Sequence, residues 1–172
     1  MHETELKIKV FGAAILRKKA QPIKFVTLEH RKLLSQMAQT MYTDTGIGLA
    51  APQVGIGVQL VVADIGQGLY KLINPRIVKR QGQQVIKEGC LSVPGICIRV
   101  KRAKRVWVEA LDEDNKMVKI QAQDLFACVL QHEIDHLKGK LIVDYASLLE
   151  KIKIKRKLAA LKITSRSCDL KI

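Results

Sequence analysis

Apolar residues at positions 33, 34, 37, 38 and 41 recur at the spacing of one helical face and predict a helix over 28–42. Thr27 stands where an N-cap belongs, because its hydroxyl can accept a hydrogen bond from a free N–H of the first turn. Thr43-Asp44-Thr45-Gly46 breaks the pattern. Residues 7–10 alternate like an edge strand, and 58–64 form a continuous apolar strand. A further strand, 70–74, is closed by Asn74-Pro75, and 76–87 reads as two strand pieces around Gly82. Segments 105–111 and 117–121 flank Asp112-Glu113-Asp114-Asn115, a composition suited to a hairpin turn. A second helix is predicted over 123–137, stopped by Lys138-Gly139. The tail from Ser147 opens with the strand-like alternation Lys-Ile-Lys-Ile-Lys, then carries good helix formers over 156–162. Several strands precede one central helix without β-α-β alternation. That order predicts an α+β fold, with antiparallel sheets surrounding helix 123–137, an additional N-terminal helix and a C-terminal helix.

A chain of 172 residues fits a single domain, 1–172, with 147–172 as a basic appendage. Its apolar fraction of 48 % supports a packed core without disulfides. The irregular spacing of Cys90, Cys97, Cys128 and Cys168 favours a reducing compartment. Met1-His2-Glu3-Thr4-Glu5 has neither a basic nor an apolar leader region, and no apolar run nears the ~20 residues of a spanning helix. A cytoplasmic protein, or an organellar one in a eukaryote, is therefore expected, without a membrane partner. The net charge of +14 predicts attraction to a polyanion such as RNA, or reflects a lysine-rich solvated surface. With seven aromatic residues in all, contact would be to phosphates rather than to stacked bases.

The strongest local motif is His132-Glu133-Ile134-Asp135-His136. Four residues apart on a helix, the two imidazoles share a face and can reach one metal ion, while Glu133 can contact a water beside it. The alternative is two surface histidines. Leu125 and Val129 continue the same stripe, which predicts that the histidines face the core, where imidazoles without a partner would be costly. A zinc endopeptidase would need a third ligand downstream. No histidine follows His136, and Glu150 opens a lysine-rich tail, so the third ligand is sought upstream. Glu88-Gly89-Cys90-Leu91-Ser92 offers a thiolate, and a His2Cys set leaves one position open. A buried structural cysteine is the competing reading. Gly46-Ile47-Gly48-Leu49-Ala50-Ala51 imitates a dinucleotide fingerprint, but a helix precedes it and Pro52 follows it. No nucleotide cofactor is expected. The segment reads instead as a glycine-loosened strand presenting backbone groups to an extended ligand, with Gln53 offering an amide to a reacting carbonyl.

These three segments together resemble peptide deformylase, a family carrying GxGxAAxQ, EGCLS and QHExDHL in that order. Here they are Gly46 to Gln53, Glu88 to Ser92 and Gln131 to Leu137. The similarity runs from about residue 7 to about 160, and three ordered motifs at matching intervals make coincidence negligible. The resemblance implies removal of the formyl group from the N-terminal methionine of new polypeptides. It implies one divalent metal ion, ferrous iron in cells, replaceable by zinc, nickel or cobalt. It makes Cys90, His132 and His136 the ligands and Glu133 the acid/base. Gln53 and the Leu91 N–H become oxyanion donors, and Ile47, Gly48, Glu88 and Val129 line the substrate groove. It also suggests ribosome docking through the C-terminal helix. Ile96-Cys97-Ile98 departs from the family, where many relatives carry an arginine or another polar residue near position 97. That departure and the basic tail motivate a second expectation, an inactive metal-binding member that docks on ribosomes.

Overall fold

The computed structural model describes residues 6–169, with side chains to Ser165, so Met1–Glu5 and the side chains of Arg166, Cys168 and Lys171 lie outside it. Helix α1 spans Leu28–Thr43, α2 Asp124–Leu137 and α3 Leu148–Asp169. The strands are β1 (Gly48–Ala50), β2 (Leu60–Ala63), β3 (Tyr70–Gln81), β4 (Gln84–Glu88), β5 (Ile98–Arg102), β6 (Arg105–Leu111) and β7 (Met117–Gln123). An antiparallel sheet runs β1-β2-β3-β6-β7, and β4 pairs with β5 in a second, two-stranded sheet.

The apolar run of β2 is explained by burial on both faces. Leu60 and Val62 join Leu34, Met37 and Met41 of α1, whereas Val61 and Ala63 join Phe126, Ala127 and Leu130 of α2. Period-2 alternation thus feeds two cores from one strand. α2 therefore sits against one face of the large sheet, with α1 on the other. A third cluster joins Ile98 and Val100 of β5 to Leu141, Ile142 and the inner face of α3 through Ile154, Leu158 and Leu161. α1 starts as its sequence predicts: Thr27 accepts from the His30 N–H, and His30 Nδ1 accepts from the Thr27 N–H. α2 ends at Lys138, and Gly139 follows at a φ of +71°, where a side chain would strike the Arg17 backbone.

Two predicted elements differ, and one strand, β5, was not predicted. Residues 7–10 form no strand. The Lys9 N–H donates to the Gln53 carbonyl, while the Phe11 N–H just beyond donates to that of Ser92, so the segment meets two separate stretches rather than one partner strand. Pro75 does not end a strand. β3 continues through it because the pairing with β6 shifts register between Ile73 and Arg76, a bulge that spares the missing donor. Asn74, at a φ of +52°, turns its amide to the backbone of Ile23. β5 was hidden in the basic run around residue 101, yet Ile98, Val100 and Arg102 alternate inward on it. The tail is helical from its start, capped by Ser147 and Glu150.

Candidate active site

Three elements converge on one cleft of about 450 Å³, walled by β1, by the segment from Ile86 to Leu91, and by one face of α2. The stripe Leu125, Val129, His132, His136 runs from the lip of this cleft into the core: Leu125 is 46 % exposed at the lip, Val129 is buried both in the cleft wall and in the core cluster, and His136 is buried. Ile47, Gly48, Gln53, Glu88, Cys90, Leu91 and Glu133 all line the same space. Among the described residues β1 is an edge strand, where a further strand can add. The glycine-rich segment leads from β1 into the 3-10 turn Ala51–Val54, not into a helix that could cradle a pyrophosphate.

At the base of the cleft, His136 Nε2 lies 3.2 Å from His132 Nε2 and 3.3 Å from Cys90 Sγ. The three donor atoms fall within 4.8 Å of one another, the one His/Cys/Asp/Glu set among the described residues able to hold a metal ion. A tetrahedral cation with metal–nitrogen distances of about 2.0–2.1 Å and metal–sulfur of about 2.3 Å spreads its ligands about 3.3–3.6 Å apart. The residues fit. Burial works against a charge on His132, but hydrogen bonds to Cys90 and Glu88 and the Glu133 charge hold its pKa well above the ordinary range. Burial and the facing His132 push His136 well below it. A cation in this place would displace the proton they contend for.

Glu133 lies in the next position on α2, and burial pushes its carboxyl up to about 7. Its Oε2 is buried with no hydrogen-bond partner among the described residues. Its carboxylate packs against the backbone of Gly48, where even a methyl group would overlap it. Gln53 is buried; its Oε1 accepts from the Ala50 N–H, which turns its Nε2 toward Cys90 Sγ at 3.7 Å.

Behind the histidines is a buried ionic layer. Glu88 Oε2 is 2.9 Å from His132 Nδ1, which leaves Nε2 to face His136. Arg102 grips Glu88 with Nε and Nη2, at 2.7 and 2.9 Å, and Asp135 with Nη1. Glu88 is therefore more than a wall of the groove. Gln131 donates to the carbonyls of Ala103 and Ala127 and accepts from the Ala103 N–H, which fastens α2 to the chain beyond β5. Sequence reasoning missed Arg102, Asp135, Gln131 and Tyr145. A signal existed for Arg102, which continues the inward alternation of Ile98 and Val100. Cys128 is buried, and burial raises its thiol to about 11. Cys97 is exposed, its sulfur beside Gly89 at the cleft's rim. Glu150 caps α3, so its carboxylate is committed away from any endopeptidase site.

The polypeptide deformylase family model matches residues 5–152. The chain belongs to the polypeptide deformylase family. Peptide deformylase of Thermoanaerobacter pseudethanolicus is 49 % identical over 139 residues, covering 81 % of this chain and 87 % of that protein. That of Syntrophomonas wolfei is 52 % identical over 132 residues, 77 % and 87 % of the two chains. The crystal structure of a peptide deformylase from Legionella pneumophila superposes with a TM-score of 0.86 at 41 % identity, over 93 % of this chain and 96 % of that one. A peptide deformylase from Synechococcus elongatus, solved in complex with actinonin, gives 0.87 at 39 % identity, over 92 % and 88 %. Deformylases are metalloenzymes that remove the N-formyl group from nascent peptides, and this deformylase is an enzyme of that class. The expectation of an inactive docking member finds no support. Among the described residues no helix is long and apolar enough to cross a membrane.

Proposed function

We propose that Cys90, His132 and His136 hold one divalent metal ion, ferrous in cells, and that Glu133 is the acid/base of deformylation. Zinc, nickel or cobalt would occupy the same three ligands. The observation that carries this reading is the meeting of the Cys90 sulfur and two imidazole nitrogens beside Glu133, whose buried Oε2 has no hydrogen-bond partner among the described residues. When bound, such a cation supplies Lewis acidity and makes water a nucleophile near neutral pH. Glu133 takes a proton from the water as its oxygen adds to the formyl carbon. The Gln53 amide and the Leu91 N–H donate to the oxyanion that forms, each donor worth about 3–4 kcal/mol in comparable sites. Glu133 then delivers the proton to the leaving amine, the C–N bond breaks, and formate separates from the free N-terminus.

The substrate's backbone adds to the open edge of β1 at Ile47 and Gly48. Ile47, Leu91 and Val129 receive the unbranched methionine side chain, and Glu88 closes the wall while orienting His132. The whole chain, 1–172, acts as one catalytic domain, working in the bacterial cytoplasm or in an organelle. The basic face of α3 docks it on the ribosome. Lys151, Lys153, Lys155 and Arg156 are exposed there. Replacing these four with Gln should flatten the salt dependence of ribosome binding, by roughly 0.7–0.9 in log–log slope per lost phosphate contact. An unchanged slope would remove α3 from the interface.

Anaerobic purification with metal analysis tests the site itself. The wild type should carry about one ion per chain and release formate from formyl-Met peptides, and Cys90→Ala should lose the ion. A Cys90→Ala protein that keeps a full equivalent would refute the ligand set.

A further inference from the structure

Tyr145 closes the buried ionic layer from its far side. It ends the 3-10 turn Ile142–Tyr145 and is 37 % exposed, whereas Arg102 and Glu88 are buried. Its hydroxyl donates to Asp135 Oδ2 at 2.7 Å, the same oxygen that accepts from Arg102 Nη1. Its ring lies under the Arg102 guanidinium at 4.8 Å. The turn that carries it is pinned in turn by Asp144, which accepts from the Leu141 N–H and from Arg17.

The guanidinium is a planar fork with fixed donor directions. Two of its nitrogens must meet both oxygens of Glu88 if Glu88 Oε2 is to stay 2.9 Å from His132 Nδ1. Asp135 and the Tyr145 ring fix the plane of that fork, one at its edge and one on its face. Burial and Asp135 raise the Tyr145 hydroxyl to about 12, so it remains a donor through the working pH range. From this geometry we infer that Tyr145 is a positioning residue for the metal site, acting on His132 through Asp135, Arg102 and Glu88. The inference rests on the ligand set proposed above.

Loss of a direct outer partner of a metal-bound histidine typically costs 10- to 100-fold in metal affinity. Tyr145 acts through intermediates, so a smaller effect is expected, about 3- to 10-fold. The test uses cobalt-loaded full-length enzyme, with wild type, Tyr145→Phe, Tyr145→Leu and Cys90→Ala compared. Cobalt transfer to a competing chelator, the visible cobalt absorption bands and thermal unfolding are read on the same samples. Tyr145→Phe keeps the ring and should release cobalt about 3- to 10-fold faster with shifted bands, and Tyr145→Leu should release it faster still. Release within twofold of wild type and unchanged bands in Tyr145→Phe and Tyr145→Leu would overturn the inference, even if both melted lower. Cobalt retained at full stoichiometry in Cys90→Ala would instead overturn the ligand set, and the inference with it.

Discussion

Gly48→Ala perturbs the seat of the Glu133 carboxylate from the substrate side of the cleft. An added Cβ would stand 2.9 Å from both Glu133 Cδ and Val129 Cγ1, with Glu133 Oε1 nearer still. Carbon atoms prefer about 3.5–4.0 Å, so the carboxylate or the valine must retreat by roughly 0.6–1.1 Å. Val129 is buried in the wall of α2 and Glu133 is enclosed, so neither moves freely. A misplacement of about 1 Å at a reacting group can cost about a hundredfold in rate, or about 2.7 kcal/mol of barrier. Stability should change less. Overpacking costs about 1–3 kcal/mol, and replacing glycine where the backbone allows it returns about 0.4–1 kcal/mol through the unfolded chain. Gly48 has no positive φ, so the conflict is one of space alone. kcat/KM for formate release from a formyl-Met peptide should fall about a hundredfold, with melting lowered by only a few degrees. Gly57→Ala, whose Cβ would meet only Ile15 at 3.5 Å, is the neutral control. Activity of Gly48→Ala within threefold of wild type would show that Glu133 does not act from this position.

Asp144→Asn probes the turn that holds Tyr145. Arg17 and the Leu141 N–H outweigh the cost of burial and hold the Asp144 carboxyl below its usual range. A depressed folded pKa gives stability that is present above the unfolded value of about 3.9 and lost as pH falls through the folded value. The variant should therefore be less stable near pH 7 by about 0.5–1 kcal/mol, given an ion pair more than a third exposed, and the gap should close below about pH 4 in urea titrations. A gap that does not narrow as the pH falls below about 4 would assign the effect to packing. For the thiols, iodoacetamide at pH 8 followed by peptide mass mapping should label exposed Cys97 well before buried Cys128, whose thiol lies near 11. Equal labelling in the folded enzyme would contradict the burial.

Much of the site was legible because its chemistry is carried by residue types at fixed spacing. His132 and His136 lie four apart on a helix, no histidine follows them, and Cys90 is the upstream residue whose thiolate completes a His2Cys set. The structure brings the donor atoms of these three together, and Cys90 and His132 line one cleft with Gln53, Glu133 and Gly48. The supporting layer was less legible, because Arg102 hides among Arg99, Lys101, Lys104 and Arg105, where charge suggests a solvated surface. Only the strand period separates the inward Arg102 from its outward neighbours, and it shows once Ile98 and Val100 are counted with it. Tyr145 carried no local signal, since its meaning comes from a turn folded back on α2. Residues 7–10 misled because alternation records burial of one side and not a partner strand. Pro75 misled because a bulge can absorb a missing donor.

The most direct test of the account is formate release by Glu133→Gln, with metal content measured on the same sample. The substitution keeps size and leaves Cys90, His132 and His136 intact, so metal should stay near one equivalent. The account predicts formate release reduced by at least about a hundredfold, the lower range for losing a positioned acid/base. A fully metal-loaded Glu133→Gln enzyme releasing formate at close to the wild-type rate would contradict it.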